Sequence, residues 1–292
     1  MRRNSFNNRS VSRLAVWARR VAFFSLAVTF IAVVIVRSGA LDIVPALSTL
    51  LGALVLAAVA ILLACGAGIV IWRHGVGGGR YAATALGIGL ALLAYPLYLG
   101  VKAYRLPAIY DITTDPIDPP RFDAIARLRP RDANPVTYTG LYTAEQQTKA
   151  YPDIEPDDTT ATPQEAYDAA MKVMTKRRWR IVDARPPQGG LPRIVDARAA
   201  QGAAVRDGII EAVARTPILG FRDDVAVRVR ATADGARIDV RSASRYGRHD
   251  LGTNAKRVRA LIDDIDDVLA APPKPAPAPK PVPSAKGNQA KR

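Results

Sequence analysis

The residues best equipped for chemistry crowd into one stretch, Arg245-Tyr246-Gly247-Arg248-His249-Asp250-Leu251-Gly252-Thr253-Asn254-Ala255-Lys256-Arg257. It reads as a strand end turning through two glycines into a helix start. The first turn of a helix carries backbone N–H groups without intrahelical partners and the positive end of the helix dipole. Ringed by Arg245, Arg248, Lys256 and Arg257, such a start would hold an anion, with Asp250 and Asn254 beside it and Ser242 and Ser244 running toward the same end. The same residues also admit a purely structural corner, in which Asp250 caps the helix and the arginines pair with Asp223 and Asp224.

A second chemistry would use Ser242 or Ser244 as nucleophile, His249 as base and Asp250 as the group that orients it. A triad is defined by geometry, and no Gly-x-Ser-x-Gly elbow presents either serine. A membrane-tethered hydrolase is therefore the alternative to a binding role, and no residue is assigned to catalysis. Metal chemistry lacks ligands. His74 and His249 stand far apart, and neither Asp223-Asp224 nor the group Asp263, Asp264, Asp266 and Asp267 has the spacing of a calcium loop. The one cysteine, Cys65, falls in an apolar run, so no disulfide framework exists, and no metal or cofactor is expected.

Several elements must position that stretch. Residues 209–216, 225–232 and 237–244 alternate with β-branched residues and read as strands. Asp234-Gly235 is a hairpin turn signal, and a two-residue turn there places Arg230 opposite Asp239, Val229 opposite Val240, Val227 opposite Ser242 and Val225 opposite Ser244. One face of the pair is then apolar; the other carries Arg228, Arg230, Asp239 and Arg241, expected as a solvated charge lattice. Thr162-Pro163-Gln164-Glu165 has the form of a capping box with proline in the first turn, and Tyr167, Ala170, Met171 and Met174 follow on one helical face. A last helix to Leu269 carries Val258, Leu261, Ile262, Ile265 and Val268 at core spacing, with its basic residues at the start and its aspartates at the end, against the dipole. Arg180-Ile181-Val182-Asp183-Ala184-Arg185 recurs at 193–198; the first copy, behind Trp179, is expected as a strand and the second as a surface excursion.

Ahead of this lie three apolar runs, 21–36, 43–72 and 81–101, and about 20 helical residues cross a bilayer core. The first is short, but Trp17 and Leu14 can lengthen it if Arg19 and Arg20 snorkel. No Asp, Glu, Lys, Arg or His falls inside them, so an anchor is expected rather than a transporter, with Gly52, Gly66, Gly68, Gly87 and Gly89 letting the helices pack closely. Residues 1–20 carry a net charge of +6, with Arg2, Arg3 and Arg9 among them, which holds the start in the cytoplasm and, after three crossings, sends the remainder outside. Cleavage of the first run as a signal peptide after Ser38-Gly39-Ala40 would leave the same side facing out. The chain total is +15, yet residues 101–270 carry only +2, so the charge is no nucleic-acid footprint.

Between the spans and the strands, residues 104–150 are proline-rich and without period, reading as extended chain fixed in part by Ile109, Ile112, Phe122, Tyr138 and Tyr142. After residue 270 come alternating Pro, Ala and Lys that cannot form a core. The layout expected is a basic cytoplasmic start (1–20), three transmembrane helices (21–103), a connector (104–150), a soluble domain (151–270) and a disordered tail (271–292). The fold class is α+β, a small antiparallel sheet packed by two helices.

One family is similar to this chain over about residues 105–269. The matching stretches are Leu106-Pro107, Ile112-Thr113-Thr114-Asp115, Pro119-Pro120-Arg121-Phe122, Tyr151-Pro152-Asp153-Ile154, Trp179, Ile210-Glu211-Ala212, Thr216, Gly220-Phe221, Asp223-Asp224-Val225, Asp239-Val240-Arg241-Ser242, Asp250-Leu251-Gly252 and Asn254. They resemble the domain of unknown function numbered 1499, found in membrane-anchored bacterial proteins; the second repeat copy departs from its pattern. The resemblance implies the domain and a membrane setting, and no activity. Together these readings describe an inner-membrane protein with a periplasmic domain. It would be a non-enzymatic envelope binding or scaffold module for an anionic lipid, an envelope polymer or a protein partner, and not for nucleic acid.

Overall fold

The computed structural model of the chain describes residues 10–39, 41–188 and 206–271. Arg2, Arg3, Arg9, Ala40, the second repeat copy at 193–198 and the tail from Pro272 lie outside the described residues.

Helices α1 (Arg13–Ser38), α2 (Ile43–His74) and α3 (Gly79–Arg105) are each long and apolar enough to cross a membrane. Alanine makes their seam: Ala15, Ala18 and Ala22 of α1, Ala53, Ala57, Ala60 and Ala67 of α2, and Ala85 of α3 have no exposed surface. Apolar side chains gain nothing by leaving lipid for one another, so close backbone approach across small residues supplies the contact. The glycines take less part than expected. A Cβ on Gly89 would lie 2.5 Å from Ile61 Cγ1 and one on Gly66 3.1 Å from Leu14 Cδ2, whereas Gly52, Gly68 and Gly87 have nothing within 4 Å. Ser25 Oγ donates to Ala53 O across the seam at 2.8 Å. The Arg19 guanidinium rests 4.2 Å from the centre of the Tyr81 ring, which shelters a charge nearly two turns inside the first helix.

The remainder is an antiparallel sheet with helices, as the patterning requires. Its strands are β1 (Asp111–Thr113), β2 (Asp157–Thr159), β3 (Arg180–Arg185), β4 (Gly208–Arg215), β5 (Arg222–Ala231) and β6 (Ala236–Ser244). The order is β1-β6-β5-β4-β3, with β2 sharing the free edge of β6 beside β1. The first copy of the repeat is β3, paired with β4. Helices α5 (Pro163–Lys176) and α6 (Thr253–Ala270) cover one face, burying Val225, Val227, Val229, Ile238 and Val240 beneath Tyr167, Met174, Leu261 and Ile265. Helix α5 opens with the capping box: Glu165 N donates to Thr162 Oγ1 at 3.3 Å, and Thr162 N to Glu165 Oε2 at 2.9 Å.

The hairpin register differs from expectation by two residues. Arg230 faces Arg237, Val227 faces Val240, Val225 faces Ser242 and Asp223 faces Ser244. The chain turns through Ala233 and Asp234, with Thr232 N donating to Gly235 O at 3.0 Å. Gly235 serves another purpose: a Cβ there would stand 2.1 Å from Thr159 O, so the end of β2 can pass only over a glycine. A shift of two leaves every side chain on its original face.

The charged face is a second correction, because it is not solvated. Glu211, Asp224, Asp239 and Arg241 are all buried. Residues 114–139 lie across them, seating Phe122 and Ile125 on Val213, Ala226 and Ala243. The stretch read as extended chain therefore contains β1, a 3-10 turn at Ile125–Leu128 and α4 (Leu141–Ala150). Distant side chains satisfy its backbone. The Glu211 carboxylate accepts from Asp123 N, Ala124 N and Ile125 N at 3.0, 3.0 and 2.8 Å, capping the 3-10 turn from β4. Gln147 of α4 closes the open edge of β1, accepting from Thr113 N at 3.0 Å and donating to Thr113 O at 2.6 Å. Of the expected anchors, Ile109, Ile112 and Phe122 are buried and Tyr142 is exposed.

Candidate functional site

The corner is built where the end of β6 meets the start of α6. Ser242 and Ser244 leave β6 on the helix-covered side, with Asp223 of β5 opposite Ser244. Asn254 and Arg257, one turn apart on α6, sit over them and join every polar group. Ser242 Oγ donates to Asn254 Oδ1 at 2.8 Å and accepts from Arg257 Nη1 at 2.8 Å. Asn254 Nδ2 donates to Ser244 Oγ at 3.0 Å and to Tyr110 O at 2.8 Å. Arg257 Nη2 then donates to Asp223 Oδ2. All five side chains are buried, where an unpartnered polar group would cost about 1–3 kcal/mol, so the network holds the corner in one arrangement.

Asp250 fills the helix start itself. Leu251 and Gly252 both take positive φ, 55° and 72°, and this tight bend swings the carboxylate back over the first turn. Oδ1 accepts from Gly252 N and Oδ2 from Asn254 N, each at 2.8 Å. Burial pushes the Asp250 carboxyl above its ordinary value, against the pull of those two N–H groups.

Arg245 points to the opposite face of the sheet, where Nε and Nη2 donate to Asp224 Oδ1 at 2.9 and 2.7 Å while Arg129 Nε holds Oδ2 at 2.6 Å. Adjacent aspartates on β5 thus hold arginines on opposite sides of the sheet, Asp223 one and Asp224 two. Arg248 and Lys256 are exposed and make no ion pair among the described residues. The structure therefore joins Ser242, Ser244, Asn254 and Arg257 into one network that Asp250 adjoins, puts Arg245 behind it, and leaves Arg248 and Lys256 on the surface.

Ser242, Ser244 and His249 do not form a nucleophile–base pair. His249 Nδ1 accepts from Leu251 N at 3.0 Å and Nε2 meets Ala103 O at 3.1 Å, while both serine hydroxyls hydrogen-bond within the Asn254 network. With neither serine bonded to the imidazole, the activation step of a hydrolase has no starting geometry here.

The corner is turned toward the membrane helices. Besides the His249 contact, Asp250 N donates to Ile109 O at 3.0 Å, just beyond the end of α3. Arg37 at the end of α1 donates to Pro217 O and Ile218 O in the β4–β5 loop. Between domain and helices remains a cavity of about 330 Å³, bounded by Tyr95, Tyr98 and Lys102 on one side and Phe221, Ser244 and Asp250 on the other.

The buried charges of the second face escaped the reading of the sequence. Arg241 holds Asp111 at 3.0 and 2.6 Å and donates to Pro120 O and Val136 O at 3.1 and 2.9 Å, and Arg228 bonds Asp239 at 3.1 Å. One signal for them was present: opposite charges recur at alternate strand positions, beside a proline-rich segment that carries Phe122 and Ile125.

Residues 111–265 match the family described as "Protein of unknown function (DUF1499)". The chain belongs to this family. The DUF1499 match begins at Asp111, the partner of Arg241, and ends at Ile265 in the core face of α6. It therefore includes all six strands, the segment closing the charged face and the whole corner, and excludes the three membrane-length helices. No curated protein and no solved structure matches the chain.

Proposed function

We propose that this DUF1499 protein is an envelope binding module of the inner membrane, its domain held on the periplasmic side against the phosphate layer of the bilayer. The observation that carries this reading is the clamp of the corner and the β4–β5 loop onto the helix ends through His249, Asp250 and Arg37. That clamp turns the corner toward the lipid surface. Arg222, Arg248 and Lys256 are exposed on this part of the domain, and Lys102 stands at the end of α3. Cations at headgroup height attract anionic lipid with about 1 kcal/mol each. The buried arginines have a different part: Arg245 and Arg257 are neutralised by Asp224 and Asp223, and they support the surface instead of binding through it. Sidedness rests on the basic start of the chain and the odd number of spans.

Two measurements test this. An alkaline-phosphatase fusion after residue 270 is expected to be active, and activity only of a cytosolic reporter at that position would reverse the orientation. Full-length protein in phosphatidylcholine nanodiscs should unfold at a higher temperature once phosphatidylglycerol is added, through linkage to lipid binding. Arg248→Glu with Lys256→Glu should lose that increase without change in the phosphatidylcholine value. No increase in the wild type, or an increase only with a soluble anionic polymer or a protein partner, would overturn the lipid assignment.

A further inference from the structure

The cavity between the domain and the helices has walls of three kinds. On the side of the helices it is apolar, with Leu47 of α2 and Tyr95 and Leu99 of α3. Its cations, Lys102 and Arg222, are half-buried and exposed, whereas its carboxylates, Asp223 and Asp250, are 1% and 7% exposed. The basic groups therefore lie toward the open side and the acidic groups against the domain floor.

The floor has hydrogen-bonding capacity to spare. Asp223 engages Arg257 through Oδ2, and its Oδ1 accepts no hydrogen bond among the described residues. Ser244 Oγ accepts from Asn254 Nδ2 and retains its own proton and a lone pair. Asp250 accepts one backbone N–H at each oxygen, so it adds negative charge to the floor from a carboxylate those two bonds hold in place.

A membrane lipid with an amino headgroup presents complementary chemistry in the same order: acyl chain in the bilayer, phosphate above it, ammonium at the tip. We infer that the cavity holds the head of one aminophospholipid, its upper chain against Leu47, Tyr95 and Leu99, its phosphate at Lys102 and Arg222, and its ammonium at Asp223 Oδ1 and Ser244 Oγ. This rests on the membrane-surface placement proposed above; the lipid it names is zwitterionic and occupies the cavity, apart from the anionic lipid drawn to the exposed Arg248 and Lys256. A volume of about 330 Å³ is at the low end of small-ligand pockets, about 300–1,000 Å³, and suits one head with the chains left in the bilayer. A choline head has no N–H to donate, and a glycerol head brings no cation to the carboxylates.

Native mass spectrometry of the full-length protein tests the inference, with short-chain phosphatidylethanolamine, phosphatidylglycerol and phosphatidylcholine offered at equal concentration. One equivalent of the ethanolamine lipid is expected to be retained, about tenfold over each competitor, as one charge-assisted hydrogen bond supplies. Leu99→Trp should abolish retention by filling the cavity, and Ser244→Ala, which leaves Asp223 Oδ1 in place, should lower the preference for the ethanolamine lipid severalfold. Circular dichroism of both variants should be unchanged. Asp223→Asn is the more direct variant but leaves Arg257 without its counter-charge, so Ser244→Ala and Leu99→Trp decide the matter. Equal retention of all three lipids by folded wild-type protein, with loss in Lys102→Glu/Arg222→Glu, would overturn amine recognition and leave the phosphate reading standing. Retention of no lipid would overturn both, as would retention unaffected by Leu99→Trp and by the charge reversal.

Discussion

Arg241 on β6 and Asp111 on β1 meet through two hydrogen bonds, 3.0 and 2.6 Å long, with both side chains shut away from water by residues 114–139. The same guanidinium donates to Pro120 O and Val136 O, so one side chain ties an edge strand and two points of the covering segment to the sheet. The Asp111 carboxyl is pushed above its ordinary value by burial, against the pull of Arg241.

Removing one partner leaves the other buried and uncompensated. Arg241→Leu should cost about 3–5 kcal/mol in chemical denaturation. It should also make residues 114–139 more susceptible to limited proteolysis, because two backbone ties go with it. Asp111→Leu combined with Arg241→Met should recover part of the loss, since an apolar pair asks for no counter-charge. A single variant as stable as wild type would show that the covering segment is held by something else.

Gly235 faces β2 at a separation no side chain tolerates, 2.1 Å from a built Cβ to Thr159 O. Gly235→Ala should destabilise the domain by about 1–3 kcal/mol, the usual range for overpacking. Hydrogen exchange should quicken at Asp157 and Thr159, which pair with Ile238 and Ala236, while the centre of β5 stays protected. Uniform loss of protection would instead mean that β2 is integral to the sheet's cooperativity.

Asp157 stands near Asp266 of α6, and its Oδ2 is buried without a donor. Desolvation first, then the negative charge of Asp266, pushes its carboxyl up to about 6. A folded value raised above the unfolded one means the native state binds the extra proton. Stability is then greatest at low pH and falls as pH rises from about 4 through 6. After allowance for solvent screening of a half-exposed group, the effect is about 1 kcal/mol. Asp157→Asn should flatten that slope and raise the melting temperature at pH 7; an unchanged pH profile would contradict it.

Among the described residues, three of the seven charges of α6 that oppose its dipole have partners elsewhere in the fold. Arg257 is held by Asp223, Arg259 by Asp153 and Asp264 by Arg177. Each outer residue lies far away in sequence, so the periodicity of the helix identifies its core face but not the reason for its charges. The corner shows the same limit: its glycines, serines and arginines mark a polar turn, while the choice between an open anion site and arginines already neutralised depends on where Asp223 and Asp224 point.

The sequence by itself determined whatever depends on near neighbours: three helices of membrane length, the capping box at Thr162, the hairpin, and the allocation of each strand residue to one of two faces. Alternation is a backbone property and survives even a register shifted by two. Only the tertiary structure decided what covers each face. The segment over the charged side has no period, because its local backbone bonds are confined to short turns and Glu211 and Arg241 of the distant sheet hold other parts of it. Long-range pairing turned an expected solvated lattice into a buried frame, and it left Arg248 and Lys256 as the exposed cations of the corner.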